Sequence, residues 1–223
     1  QITSETVTDL SPLLCLTIVG TEVKVSNNPQ LTSLSGLDHI QFLPRLVVSG
    51  NPQLVNLQGL NGLQEGGTVG IVSNASLTSL DGLALESTNK LFLMSNNELT
   101  SLAALQSLHT LHYLDIKANP KLQSLAGLEQ ISEIKDNLNV WYNTSLTSLS
   151  GLHNVESVGN LYLYANDSLS SLDGLESLQT VTQDTLLMIR NSSLRQCEAE
   201  AFAAALTYEG EVRIHSNSRL PCN

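Results

Sequence analysis

Residues 138–152 read Leu138-Asn-Val-Trp-Tyr-Asn143-Thr-Ser-Leu146-Thr-Ser-Leu149-Ser-Gly151-Leu152. Two apolar residues alternate with outward candidates, an asparagine follows, and then leucines recur every third position until a glycine and a last leucine. The same string returns along the whole chain. Its asparagines are Asn28, Asn51, Asn74, Asn96, Asn119, Asn143, Asn166 and Asn191, in steps of 22 to 25 residues. Three residues after each stands a leucine, from Leu31 to Leu194. A second leucine ladder runs from Leu34 to Leu172, with Cys197 in the eighth slot. Next comes a small residue (Gly36, Gly59, Gly82, Ala104, Gly127, Gly151, Gly174) and a third ladder from Leu37 to Leu175. Self-similarity at a fixed period of this length is the mark of a solenoid.

The five residues before each asparagine alternate strictly. Val23/Val25, Leu46/Val48, Val69/Ile71, Leu91/Leu93, Leu114/Ile116, Leu138/Val140, Leu161/Leu163 and Leu186/Met188 fill the inward slots, and Val212/Ile214 precede Asn217. A period of two over a short apolar run predicts a half-buried strand. The expected fold is therefore an all-β solenoid, a right-handed β-helix of about eight leucine-rich coils with a short C-terminal capping helix. Stacked at strand spacing, eight coils make a rod of about 40 Å. Each asparagine sits at a corner, where its amide can satisfy backbone groups the bend leaves unpaired. Asn74, Asn143, Asn166 and Asn191 also begin N-x-S/T sequons; an inward corner position implies that they are inaccessible to glycosylation. The glycine after the leucines suits a tight bend.

The expected organisation is an N-terminal cap and degenerate half-coil over residues 1–22, the solenoid over 23–196 and a C-terminal cap over 197–223. Glu198 to Tyr208 is Ala-rich and predicts the one helix, stopped near Gly210, with Phe202, Ala205 and Leu206 on the face that covers the last coil. Cys197 and Cys222 bracket this cap, so a disulfide between them would staple it to the rod and favours an oxidising, extracellular or cell-surface location. Cys15 is read as a buried cap residue, with pairing to another segment as the alternative. Gln1 is not an initiator Met and no signal peptide is visible, which reads as a mature or trimmed chain.

The string L-x-V-x-x-N-x-x-L-x-S-L-x-G-L, with linking stretches such as Val155-Glu-Ser-Val-Gly-Asn-Leu161, resembles receptor L-domains and related leucine-rich-repeat proteins over roughly residues 18 to 222. The resemblance implies an exported recognition or adhesion module without catalytic activity. It assigns no role to any single residue.

Composition narrows the function further. The chain has 223 residues and a formal net charge of −11, which argues against nucleic acid, since that partner is held mainly by Lys and Arg. The longest apolar run, Leu13 to Val19, is far too short to span a bilayer. His39, His109, His112, His153 and His215 are scattered, and no phosphate loop, CxxC or H-E-x-x-H motif is present. Glu129, Glu133, Asp136, Glu156, Glu176 and Asp184 lie in connecting segments with no calcium-loop spacing and read as a solvated ridge. Neither a metal, a cofactor nor an enzymatic activity is expected.

What stands out is the outward strand face. Four and two positions before the asparagines it carries Phe92, Met94, Asp115, Lys117, Asn139, Trp141, Tyr162 and Tyr164, with Tyr142 beside them. Cross-coil aromatic packing accounts for such a band, as does burial under another segment. The alternative is a binding surface for a protein or carbohydrate ligand at a cell surface. A rival face is the row Thr32-Ser33, Thr78-Ser79, Thr100-Ser101 and Thr147-Ser148, which is similar to the threonine arrays of ice-binding solenoids. Val55, Asn56 and Gln123 interrupt it.

Overall fold

A computed structural model describes residues 1–222; Asn223, the last residue of the expected C-terminal cap, lies outside them. The chain is a parallel β-solenoid. Its strands are β1 (Val23–Ser26), β2 (Phe42–Ser49), β3 (Glu65–Val72), β4 (Ser87–Met94), β5 (Thr110–Lys117), β6 (Glu133–Trp141), β7 (Ser157–Tyr164), β8 (Thr180–Val181), β9 (Thr185–Ile189), β10 (Thr207–Tyr208) and β11 (Glu211–His215), with one α-helix, α1 (Gln196–Ala205), before β10. Each strand pairs in parallel with the equivalent strand of the next coil, in a register that aligns the repeat. The eighth strand position splits, so β8 and β9 both pair with β7, and continue into β10 and β11.

The leucine ladders form one continuous core. Leu31, Leu54, Leu77, Leu99, Leu122, Leu146, Leu169 and Leu194 are all fully buried, as are the inward strand pairs from Leu46/Val48 to Leu161/Leu163. Complete burial of one such side chain contributes about 1.5–3 kcal/mol, so the repeat itself is the source of stability.

The asparagines make the corner. Each ladder Asn donates its backbone N–H to the side-chain oxygen of the next, as Asn96 does to Asn119 and Asn119 to Asn143, at 3.0–3.1 Å. Each Nδ2 reaches back to a strand carbonyl of the preceding coil, for example Asn119 to Leu93 and Asn143 to Ile116. From Asn28 to Asn191 these side chains are fully buried, so the four sequon asparagines present no accessible amide.

The residue just before each ladder Asn adopts a left-handed conformation. Asn27, Ser73, Ser95, Ala118, Tyr142, Ala165, Arg190 and Ser216 have φ of 53–61°, and Gly50 has 65°. Its N–H closes the turn onto the next coil, as Tyr142 does onto the Tyr164 carbonyl at 2.9 Å. Farther along the coil, Gly127 has φ +115°, and an added Cβ there would collide with the Leu102 carbonyl of the coil before. The fourth coil carries Ala104 instead and takes a different path, a 3₁₀ turn over Ala103–Leu105.

The ends correct some expectations. The helix buries Ala199, Ala203 and Leu206 and packs Phe202 on the core, whereas Ala205 faces solvent. Its 3.6-residue period aligns positions 199, 202, 203 and 206 on one face and turns 205 away. Cys197 and Cys222 are disulfide-bonded, with Cα atoms 6.3 Å apart. Cys15 is exposed rather than buried, because the short 3₁₀ segment Ser11–Leu13 inserts Leu10 into the core and leaves Leu14 and Ile18 outside.

Candidate functional site

The strands are eight residues long in β2 to β5 and β7, not five, so the outward face has a third row, six positions before each asparagine. That row adds Lys90 and Tyr113 to the band foreseen from sequence. Parallel register then sets the cross-coil neighbours: Phe92 beside Asp115, Asp115 beside Asn139, and Asn139 beside Tyr162. In the next row lie Met94, Lys117, Trp141 and Tyr164.

The aromatic rings touch each other. Trp141 lies 6.1 Å from Tyr162 and 6.2 Å from Tyr164 between ring centroids, and Tyr142 packs edge-on against Tyr164 at 5.2 Å. Phe92 meets Tyr113 at 5.3 Å. Cations stack on the same rings: Lys117 over Trp141, Lys90 over Tyr113 and Arg190 over Tyr164, all within 6 Å, the range in which a ring quadrupole attracts a cation. The Arg190 guanidinium also donates to the Tyr164 hydroxyl at 3.0 Å. Tyr142 and Arg190 are the two large side chains at left-handed positions that otherwise hold Ala, Ser, Asn or Gly. A bulky residue is disfavoured there, and both reach Tyr164.

Two apolar hollows open on this face. One, of about 270 Å³, is lined by Trp141, Tyr142, Tyr162, Tyr164 and Leu187. The other, of about 250 Å³, lies over β2 to β4 and is lined by Arg45, Val47, Thr68, Gly70, Val72, Phe92 and Met94. Between them lies a polar step on β5 and β6. Asn139 donates to the Tyr113 hydroxyl at 2.9 Å and to Asp115 Oδ2 at 3.5 Å. Burial pushes the Asp115 carboxyl above its ordinary range, against the opposing effects of the Asn139 hydrogen bond and the Lys117 charge. Burial also raises the Tyr113 phenol, with the Asp115 charge adding to it.

The face is less open than strand alternation implies. Asn139 is only 5 % exposed, Phe92, Met94, Asp115, Lys117, Trp141, Tyr162 and Tyr164 are half-buried, and Tyr142 is 44 % exposed. Asp115 Oδ1, Asn139 Oδ1 and Trp141 Nε1 are enclosed and have no hydrogen-bond partner among the described residues. Buried polar atoms are paired in the great majority of cases, so three unpaired ones at adjacent positions set this patch apart.

Other candidates look different. Coil stacking brings Glu133 beside His109 and His112, with Lys135, around a recess of about 170 Å³. Among the described residues no group of three or more His, Cys, Asp or Glu side chains is placed to hold a metal ion. On the Thr/Ser face, the hydroxyls of Thr32, Thr78, Thr100 and Thr147 donate to backbone carbonyls of the preceding coil. Ser33 and Ser148 bond to Ser35 and Ser150, while Ser79 and Ser101 accept from backbone N–H groups two residues on. Only Ser79 and Ser101 pair as a β-bridge, so this row is a stack of turns and not a flat sheet.

Among the described residues no helix is long and apolar enough to cross a membrane. Compared with protein families, with characterised proteins and with solved structures, the chain matches none.

Proposed function

We propose that this chain is a non-catalytic recognition or adhesion module of an extracellular or cell-surface protein, binding a protein or glycan through the outward face of β4 to β9. One observation carries the reading. Six of the nine aromatic side chains, Phe92, Tyr113, Trp141, Tyr142, Tyr162 and Tyr164, gather on one strip of a regular sheet and line or border its hollows. Packed against one another, the rings still leave apolar hollows open beside them, and clustered aromatics are what interface cores are enriched in. The sheet beneath is preformed, so binding orders only side chains and loses little conformational entropy. The Cys197–Cys222 disulfide supports an oxidising compartment, and the likeness of the repeat to receptor L-domains and leucine-rich surface proteins supports the same class.

The test is a double variant, Trp141→Ala with Tyr164→Ala. Three ring pairs are broken at about 0.5–1.5 kcal/mol each, so melting should fall by about 3–18 °C, with the fold kept, while retention on the partner is lost. A collapse of the fold with the rings removed would make the strip structural, and unchanged retention would place the binding surface elsewhere.

A further inference from the structure

We infer that the partner is a neutral glycan chain lying along the solenoid axis, across the strands, with sugar rings seated in both hollows and hydroxyls meeting Asp115, Asn139 and Trp141 Nε1 between them. This rests on the recognition reading above and names its ligand class. Three independent features lead to it. The first is the order of surfaces along the axis. An apolar hollow over β2 to β4, a polar step on β5 and β6, and an aromatic hollow over β6 to β9 follow one another. From Gly70 on β3 to Tyr162 on β7 is four strand spacings, about 19 Å, a span that calls for a chain molecule.

The second feature is the unpaired atoms. Asp115 Oδ1 and Asn139 Oδ1 are acceptors and Trp141 Nε1–H is a donor. A sugar hydroxyl donates and accepts, so neighbouring hydroxyls of one ring can complete all three. Access requires a long neighbour such as Lys117 or Tyr113 to change rotamer, a common adjustment at interfaces. An extended peptide fits less well, since the main-chain groups of β2 to β7 are already paired with strands on both sides and strand addition to this face is impossible. The cations of this face are already engaged, Lys90, Lys117 and Arg190 on Tyr113, Trp141 and Tyr164 and Arg45 on Glu22, and with a net charge of −11 on the whole chain a polyanion is disfavoured.

The third is Gly70. It occupies an outward strand position, its backbone is not left-handed, and an added Cβ would meet nothing nearer than 3.9 Å. Neither packing nor conformation demands glycine there, although glycine weakens a strand. The register is regular on both sides, with no bulge or bend, which leaves close approach of a ligand as the use of a strand glycine here, and its missing side chain leaves room in the first hollow.

The experiment uses wild type, Trp141→Ala, Trp141→Phe and Gly70→Leu on cellulose, chitin, β-1,3-glucan, xylan and mannan, followed by calorimetry with short and long oligosaccharides of the retained series. Gly70→Leu should remain folded, which a thermal melt checks before binding is compared. Retention on at least one polysaccharide is expected, weakened about tenfold or more by Trp141→Ala and in part by Trp141→Phe, which keeps a ring but removes the N–H. Gly70→Leu should weaken long oligosaccharides and leave short ones unchanged. If no polysaccharide is retained, or all variants bind equally, the glycan assignment falls. A parallel panel of extracellular protein domains separates the two claims: capture there alone, lost in the Trp141/Tyr164 double variant, overturns the glycan and keeps the recognition reading. Capture on neither panel overturns both.

Discussion

Replacing Asn119 by alanine tests how much the corner ladder contributes to the rod. The side chain is fully buried. Its oxygen accepts the Asn96 N–H at 3.1 Å, and its Nδ2 donates to the Leu93 carbonyl at 2.8 Å and to the Lys117 carbonyl at 3.2 Å. Alanine leaves the Asn96 N–H without an acceptor and removes a donor from two carbonyls, in a place water does not reach. Each buried polar group so stranded costs about 1–3 kcal/mol, carbonyls less than N–H groups because a second lone pair remains usable. With the cavity included, the expected loss is about 3–5 kcal/mol, or about 10 °C in melting temperature for a chain of this size. Thr100→Ala is the control. It deletes a hydrogen bond to the Thr78 carbonyl on an exposed turn, and should cost about 0.5 kcal/mol or less. Urea and thermal melts followed by far-ultraviolet circular dichroism measure both. If Asn119→Ala costs no more than Thr100→Ala, the ladder is not the element that holds the coils in register.

Further outcomes follow from single positions. Gly127→Ala, at φ +115° and facing the Leu102 carbonyl, should destabilise severely or prevent folding, whereas Ala104→Gly should change the melting free energy by about 1 kcal/mol or less; equal effects would refute the steric account of the turn. The Asp115 carboxyl is raised above its ordinary 3.8 by burial, so the folded state binds its proton more tightly than the unfolded one. Its stabilising effect is full below that ordinary value and is lost as pH rises through the raised one. Asp115→Asn should therefore flatten the stability profile in that acidic window and melt higher than wild type at neutral pH, and parallel profiles would contradict this. Reducing Cys197–Cys222 opens a crosslink between residues 25 apart and should cost about 3 kcal/mol, read as a lower melting point in reductant. A Cys197→Ser variant that melts like wild type would deny the staple any role.

Much of this architecture was legible in the letters because one buried residue type recurs at each structural corner. Asn119 and its counterparts fix the coil length, Leu122 and Leu125 fix the inward turns, and Leu114/Ile116 fix strand phase. Elsewhere the signal is weaker. The left-handed position before each asparagine holds Asn, Gly, Ser, Ala, Tyr or Arg, so no single residue type announces it. For that reason the sequence did not place Arg190 over Tyr164. Tyr113 and Lys90 were missed because the strands extend beyond the five strictly alternating residues, into positions such as Gly66 and Thr88, which are buried without being large and apolar. Leu187 stood in the outward row but gained meaning only when Tyr164 and Tyr142 were seen to wall a hollow beside it. The helix face was misassigned at Ala205 because alanine is equally at home on either side of a short helix. The enclosure of Asn139 has no signature in the sequence. It follows from the size of its cross-coil neighbours.

Trp141 is the only tryptophan, and it lies within the proposed surface, so its fluorescence reports on that surface alone. Titrating the protein with a ligand that it retains should shift the Trp141 emission to shorter wavelength and shield it from a soluble quencher, with saturation matching the calorimetric affinity. Emission and quenching that stay constant while the ligand saturates would contradict the assignment of binding to this face.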